Sequence, residues 1–404
     1  MKVLFLSQII PYPPHGGVLQ RGYNIIREIG KENEVYLLAF HHPDTIATES
    51  LLEESKQELE KICSQVHYFK LWPKQSKIHK FLAFLLGFFY PLPFSVLAHK
   101  SSAYKKTIRE ILEKNKIDIV HIDTVGLSQY RECIGDIPCI VTHHNIESSL
   151  MARRSKVESN WFARYYVAKQ SKRLREYEAT ESEKYPVNVM MSKTDAEELN
   201  QMSPGVNTAI VPNGVDVNYF TKLGDKEEQA IIYTGGMNMF ANKDAVMHLI
   251  NDIWPMVKKK IPAINFYIIG QDPPKELLSI ASQDSGIKVL GFVDDIRPYV
   301  AKSAIYVVPL RVGGGTRLKV LDALAQGKAI VSTSIGSEGI EVTDRLNVYL
   351  EDTDEGFANS IIELINDEER RDELGKQARL LAEQKYAWPS IAEGLIAAYK
   401  SVIH

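Results

Sequence analysis

Short apolar runs that alternate with longer helical patterns constrain this chain most strongly, because the alternation continues from one end to the other. In the first half such runs begin at Lys2, Glu34, Val66, Asp118, Cys139 and Val187. In the second half they begin at Ala230, Asn265, Lys288, Ala304, Ala329 and Asn347. A helix between successive strands makes the strands parallel, and strands covered on both faces read as unbroken apolar runs, so the pattern predicts doubly wound α/β sheets. At 404 residues the chain exceeds the roughly 250–300 residues at which one core stops growing. Two domains are therefore predicted, divided in the polar stretch 201–207, which holds Ser203-Pro204-Gly205.

The hydrophobic content of 45% and charged content of 25% are those of an ordinary globular protein, and a net charge of −3 favours no nucleic-acid partner. Cys63, Cys133 and Cys139 are scattered without metal-ligand spacing, which points to a reducing, cytoplasmic compartment. Met1-Lys2-Val3-Leu4 runs directly into a strand, so no signal peptide is expected, and no uncharged stretch reaches the ~18 residues of a membrane span.

The richest local pattern is Gly313-Gly314-Gly315-Thr316-Arg317-Leu318-Lys319, with Asp322 following in the helix it opens. The preceding Ala304-Ile305-Tyr306-Val307-Val308-Pro309 reads as a buried strand. The glycines thus lie at a strand's carboxyl end, where open α/β sheets bind ligands. Glycines admit close backbone approach, a helix N-terminus presents free amides, Arg317 can fork two phosphate oxygens and Lys319 adds a point charge. A diphosphate suits such a loop, with Asp322 accepting from ribose hydroxyls; the same residues also read as a glycine-rich surface turn before an ordinary helix.

Other strand ends carry similar signals. Gly16 and Gly17 follow the first strand without the Gly-x-Gly-x-x-Gly dinucleotide fingerprint, which argues against a dehydrogenase. His143 and His144 follow the strand at Cys139, and at most one of two adjacent residues faces a cleft; no zinc-ligand spacing accompanies them. Val211-Pro212-Asn213-Gly214-Val215-Asp216 reads as a tight turn closing a strand, while Ile268-Ile269-Gly270 and Val289-Leu290-Gly291 end strands in glycine. Asp352-Thr353-Asp354 reads as a helix N-cap with an acidic first turn rather than as a metal motif.

Charge is uneven. Residues 1–200 carry 27 basic and 24 acidic groups, a net of +3 that leaves −6 for the remainder, so an anionic surface should meet the first domain. From 70 to 109 there are eight Lys and Arg and no Asp or Glu, around the apolar run Phe81-Leu82-Ala83-Phe84-Leu85-Leu86-Gly87-Phe88-Phe89-Tyr90. That run is too short to span a bilayer; it suits either an anionic membrane surface, with flanking lysines on lipid phosphates, or a core helix with basic ends. A second basic run, Arg153 to Arg175, reads as one long helix that also carries Trp161, Tyr165 and Tyr166, without a recognisable nucleic-acid motif.

Together the glycine pair, the His-Asn of His144-Asn145, Pro-Asn-Gly-Val-Asp, the glycine loop with its helix carboxylate, and Trp388 resemble the family 4 glycosyltransferases over nearly the whole chain. The resemblance implies the GT-B architecture: α/β, with two facing Rossmann-like doubly wound domains and a C-terminal crossing helix. It implies an acceptor domain at 1–205, a nucleotide-sugar domain at 206–385 and a terminal helix at 386–404 packing back on the first domain. It further implies a retaining, metal-independent hexosyltransferase without cofactor, using a UDP- or GDP-sugar as substrate. By the same resemblance His144 meets the donor sugar, Gly291, Phe292 and Val293 lie near the base, and Gly314, Gly315, Thr316, Arg317, Leu318 and Lys319 hold the pyrophosphate. Gly16, Gly17, Gly236, Asn238 and Lys243 complete the donor site, and Asp322 takes the place of the second glutamate in the family's Glu-x7-Glu pattern.

This chain departs from the family pattern at two places. Gly314 stands where the first glutamate is expected, and no arginine follows Gly235-Gly236, so Asn238 or Asn242 is expected to orient the sugar or phosphate in its place and Arg317 to compensate for the charge, as an exposed cleft residue whose loss leaves folding nearly unchanged. The resemblance implies a saccharide acceptor, lipid-linked if the Phe81 region touches a bilayer, in cell-surface polysaccharide synthesis on the cytoplasmic face of the membrane. The missing glutamate keeps a non-catalytic nucleotide-sugar-binding scaffold open, and a GT-B sugar-nucleotide epimerase remains a further alternative.

Overall fold

A computed structural model describes the chain except His15, Gln75, Ser76, Ser159, Asp225, Gly314, Thr316 and His404; the side chains of Lys77, Lys80, Phe81 and Val157 also lie outside the description. The readings placed on Gly314, Thr316 and those lysine and phenylalanine side chains therefore fall outside the described residues. The chain forms two compact units, Met1–Pro212 with Ile391–His404, and Asn213–Ser390.

The first unit holds β1 (Lys2–Ser7), β2 (Glu34–His41), β3 (Gln65–Lys70), β4 (Ile119–Ile122), β5 (Cys139–His143), β6 (Asn188–Met190) and β7 (Thr208–Ile210). They form one sheet in the order β3-β2-β1-β4-β5-β6-β7, and every pair is parallel. Val3, Leu4, Phe5 and Leu6 of β1 are fully buried, which is why this strand reads as an unbroken apolar run. The second unit holds β8 (Glu228–Thr234), β9 (Asn265–Ile269), β10 (Ile287–Gly291), β11 (Ser303–Val308), β12 (Ala329–Ser332) and β13 (Tyr349–Leu350), in the order β10-β9-β8-β11-β12-β13. Both sheets share the 3-2-1-4-5-6 order, so each reverses its winding beside its first strand: between β1 and β4, and between β8 and β11.

Several expectations change. The strand before the Pro-Asn-Gly-Val-Asp segment is β7, and it pairs with β6, so the first unit extends to Pro212 instead of ending at 205. The turn expected over 211–216 comes later, at 217–219. Val215 instead bridges Ala387 in parallel, its amide donating to Tyr386 O at 2.7 Å, and a Cβ on Gly214 would lie 2.6 Å from the Trp388 ring. Trp388 thus packs against Gly214 in the second unit, and only from Ile391 does the last helix count with the first. The single basic helix expected from Arg153 to Arg175 is two, Glu147–Val157 and Trp161–Ser182, because the Asn160 side chain caps the second by accepting from Phe162 N and Ala163 N at 3.0 Å. Thr353 is the N-cap of Asp354–Asn366, as the sequence indicated.

Candidate functional site

In the second unit the carboxyl ends of β8, β9 and β10 are joined edge to edge by glycine backbone. Gly235 N donates to Ile269 O and Gly270 N to Gly291 O, each at 2.8 Å. A Cβ on Gly270 would fall 1.9 Å from Gly235 O, so only glycine permits this approach. Beyond Gly291, Phe292 stands exposed, with Val293 half-buried.

Across the switch point, β11 leads through the glycine loop into the helix Leu318–Ala325, and the first turn of that helix reaches back to β8. Lys319 Nζ donates to Tyr233 Oη and Asn242 Oδ1, both at 2.9 Å, and sits 4.2 Å from the centroid of the Tyr233 ring. Tyr233 Oη itself donates to Asn242 Oδ1 at 2.7 Å, and Asn242 Nδ2 to Gly236 O at 2.9 Å. Gly235 leaves room for the ammonium, since a Cβ there would lie 2.5 Å from Lys319 Nζ. Burial, reinforced by the neighbouring Arg317 charge, lowers the Lys319 pKa to about 7 against the opposing pull of Asp322. Burial likewise raises Asp322 to about 7, with Lys319 acting the other way. A half-buried cation and carboxylate whose charged forms are both held back are the kind of perturbed pair that clusters at functional sites.

Arg317 is not the exposed residue expected from the sequence. Its side chain is 12% accessible and lies 3.7 Å from Glu338 Oε2. A Cβ on Gly313 would come 2.9 Å from Arg317 Nη2, so the guanidinium folds down on the loop glycines, where φ is +128° at Gly313 and +82° at Gly315. The loop's start is pinned from outside: Arg311 donates to Asp244 through Nη2 at 2.7 Å and Nε at 3.1 Å.

Gly236, Gly315, Arg317, Lys319 and Asp322 thus gather at one switch point, with Leu318 packed on the core beneath. Asn238 is exposed beside Gly236, where a Cβ would lie 2.7 Å from Asn238 Oδ1. Lys243 follows Asn242 on the helix Phe240–His248 and so projects about 100° away around the axis. Of the two partners of Lys319, Asn242 stands in the stretch after Gly236 that the sequence singles out, and Tyr233 does not. Tyr233 carried no signal beyond its place in a buried strand.

The first unit's switch point holds a separate polar cluster. His144 Nε2 lies 3.3 Å from Asp123 Oδ1, both side chains being nearly buried. Asp123 follows β4 directly, and nothing in its sequence neighbourhood marks it. His143 points the other way, to Asn188 Oδ1 at 3.1 Å, and burial lowers its pKa to about 4. Beneath them His121 bridges Tyr399 Oη at 2.6 Å and Thr142 Oγ1 at 2.9 Å. Gly16, with φ +94°, and Gly17 open the helix Gly17–Ile29 as exposed backbone after β1.

Two parallel sheets of equal winding, the second with glycine backbone, Arg317 and Lys319 beside a helix start at its switch point, define a protein of the GT-B architecture. Residues 15–219 match the model for Glycosyltransferase Family 4 and residues 228–367 that for Glycosyl transferases group 1. The chain belongs to Glycosyltransferase Family 4. It is 25% identical, over 89% of its length and 90% of the relative's, to an uncharacterized 44.6 kDa protein in the cps region of Klebsiella pneumoniae. Its fold is similar to that of Anabaena HepE, solved in complex with UDP (TM-score 0.70, 16% identity, 99% of this chain and 100% of the other). It is also similar to sucrose-phosphate synthase from Thermosynechococcus elongatus (TM-score 0.68, 15% identity, 99% of each chain).

Proposed function

We propose that this protein transfers a hexosyl group, with retention and without a metal or cofactor, from a UDP- or GDP-sugar to a saccharide acceptor, lipid-linked, in cell-surface polysaccharide synthesis. The observation that carries the reading is Lys319, held between Tyr233 and Asn242 at the β8/β11 switch point beside Arg317 and Asp322. The cps-region relative supports a polysaccharide product, and the HepE complexes with UDP and UDP-glucose make the uridine donor the first to test.

In this reading Arg317, Lys319 and the amides of Gly315 and Leu318 receive the diphosphate, Asp322 the ribose, and Gly291, Phe292 and Val293 the base. Asn238 and Gly236 border the sugar and phosphate, and Lys243 adds long-range charge. Breaking the anomeric C–O bond leaves negative charge on the diphosphate, so stabilising that charge is the main catalytic contribution of the site. His144, oriented by Asp123, hydrogen-bonds to the reacting sugar. The leaving phosphate takes the acceptor's proton on the same face, and no protein base is assigned.

Calorimetric binding and mass-spectrometric donor hydrolysis with UDP, GDP, ADP, dTDP and their sugar conjugates test the proposal. Tight binding of one diphosphate with slow release of sugar is expected. Binding without any turnover would favour the scaffold reading, and no binding to any of them would refute the site.

A further inference from the structure

We propose that the first unit docks on an anionic lipid surface through a platform built jointly by the helices Lys77–Phe89 and Trp161–Ser182. The sequence presents these as two unrelated segments, and the fold brings them together. Ile78, Leu82, Leu85 and Phe89 fall at i, i+4, i+7 and i+11, one face of the first helix, and are 71%, 45%, 36% and 76% exposed. Amphipathic helices of soluble domains turn such a stripe inward; here it faces solvent. On the second helix Trp161, Phe162 and Tyr165 are exposed as well, Trp161 by 77%.

The two faces are fastened together. Phe162 stacks on Phe88 with centroids 6.2 Å apart and planes 5° from parallel, and Tyr166 lies 4.8 Å from Phe84. Beneath the rings, Arg173 Nη1 and Gln170 Nε2 donate to Gly87 O at 2.7 and 2.5 Å, and a Cβ on Gly87 would come 2.5 Å from Tyr166 Oη. The result is one surface that carries the exposed apolar side chains of both helices, and such exposed apolar patches mark protein or membrane contacts.

Charge selects the occupant. Residues 161–175 carry Arg164, Lys169, Lys172, Arg173 and Arg175 with no acid, whereas of the eight cations within residues 70–109 Lys74, Lys105 and Lys106 pair with Asp44, Glu132 and Glu110. Lys172 shares the helix face of Trp161 and Tyr165, and the neighbouring helix Glu147–Val157 exposes Arg154 and Lys156. A cationic surround opposes a second copy of the same face but complements lipid phosphates. Tryptophan and tyrosine at its margin favour the headgroup boundary. Among the described residues no helix is long and apolar enough to cross a membrane, so the mode of contact is interfacial. The inference does not depend on the transferase reading.

Co-sedimentation of the full chain with vesicles tests it, using pure phosphatidylcholine against an equimolar mixture with phosphatidylglycerol, alongside sedimentation velocity without lipid. Binding to the anionic vesicles alone, weakened by salt, is expected. The double variant Ile78→Glu/Phe89→Glu and, separately, Trp161→Ser should each bind roughly tenfold or more weakly, with unchanged thermal midpoints and UDP binding. In the wild type, the Trp161 contribution to fluorescence, obtained by difference from Trp161→Phe, should shift to the blue on anionic vesicles. Failure of the wild type to bind, or equal binding by the variants, would overturn the proposal, as would a lipid-free dimer that these variants dissolve while vesicle binding stays absent.

Discussion

Replacing Asp322 by Asn should stabilise the second unit while weakening nucleotide binding, and the gain should depend on pH in a specific sense. Burial raises the Asp322 pKa from 3.8 to about 7. A carboxyl whose folded pKa lies above its unfolded value contributes stability that is fully present below pH 3.8 and lost as pH rises through 7. At 1.36 kcal/mol per unit the full cost above pH 7 is roughly 4 kcal/mol. Coupling to Lys319 and partial access of solvent reduce what Asn recovers to about 2 kcal/mol, which for a unit of this size is roughly 4–8 °C. Because Asn mimics the neutral acid at every pH, the variant's advantage should grow from pH 4 to pH 8 and then level off. Calorimetric scans across that range, with UDP binding measured at pH 8, test it. An advantage of equal size at pH 4 and pH 8, or a variant less stable at pH 8, would refute the argument.

Lys319, lowered to about 7, is largely neutral at pH 8 in the empty site, so a bound diphosphate should draw up to about one proton from the buffer; calorimetry in buffers of different ionisation enthalpy reads this, and no uptake would deny the contact. Arg317→Ala should lower transfer by roughly 100- to 1,000-fold, and because its guanidinium is packed against Gly313 near Glu338, the thermal midpoint should also fall by a few degrees, unlike that of Arg317→Lys. Gly270→Ala should cost about 2–4 kcal/mol in a denaturant titration, since its Cβ meets Gly235 O. Glu178 accepts from Glu147 N and Ser148 N at a helix start, and burial raises its pKa to about 8. Its stabilising protonated form is therefore lost as pH rises through 8, so Glu178→Gln should gain on the wild type at pH 9, whereas Glu178→Ala should lose about 2 kcal/mol at pH 7 because two amides lose their acceptor.

The sequence by itself determined the two parallel sheets, because strands covered on both faces leave unbroken apolar runs that local patterning records. β7 carries little strand signal because it is three residues long and half-exposed at a sheet edge, so the polar stretch 201–207 reads as the boundary although the first unit runs on to Pro212. The glycine loop was legible as well, since its conformational demands and its charges lie within ten residues. Only the tertiary structure decided what those residues touch. Lys319 meets Tyr233 from 86 positions away, and Arg317 turns onto its own loop instead of into solvent. His144 finds Asp123 through the order of β4 and β5. The platform on the first unit joins helices that look independent in the chain, because a contact between distant segments is fixed by how sheets and crossovers pack, which no local periodicity encodes.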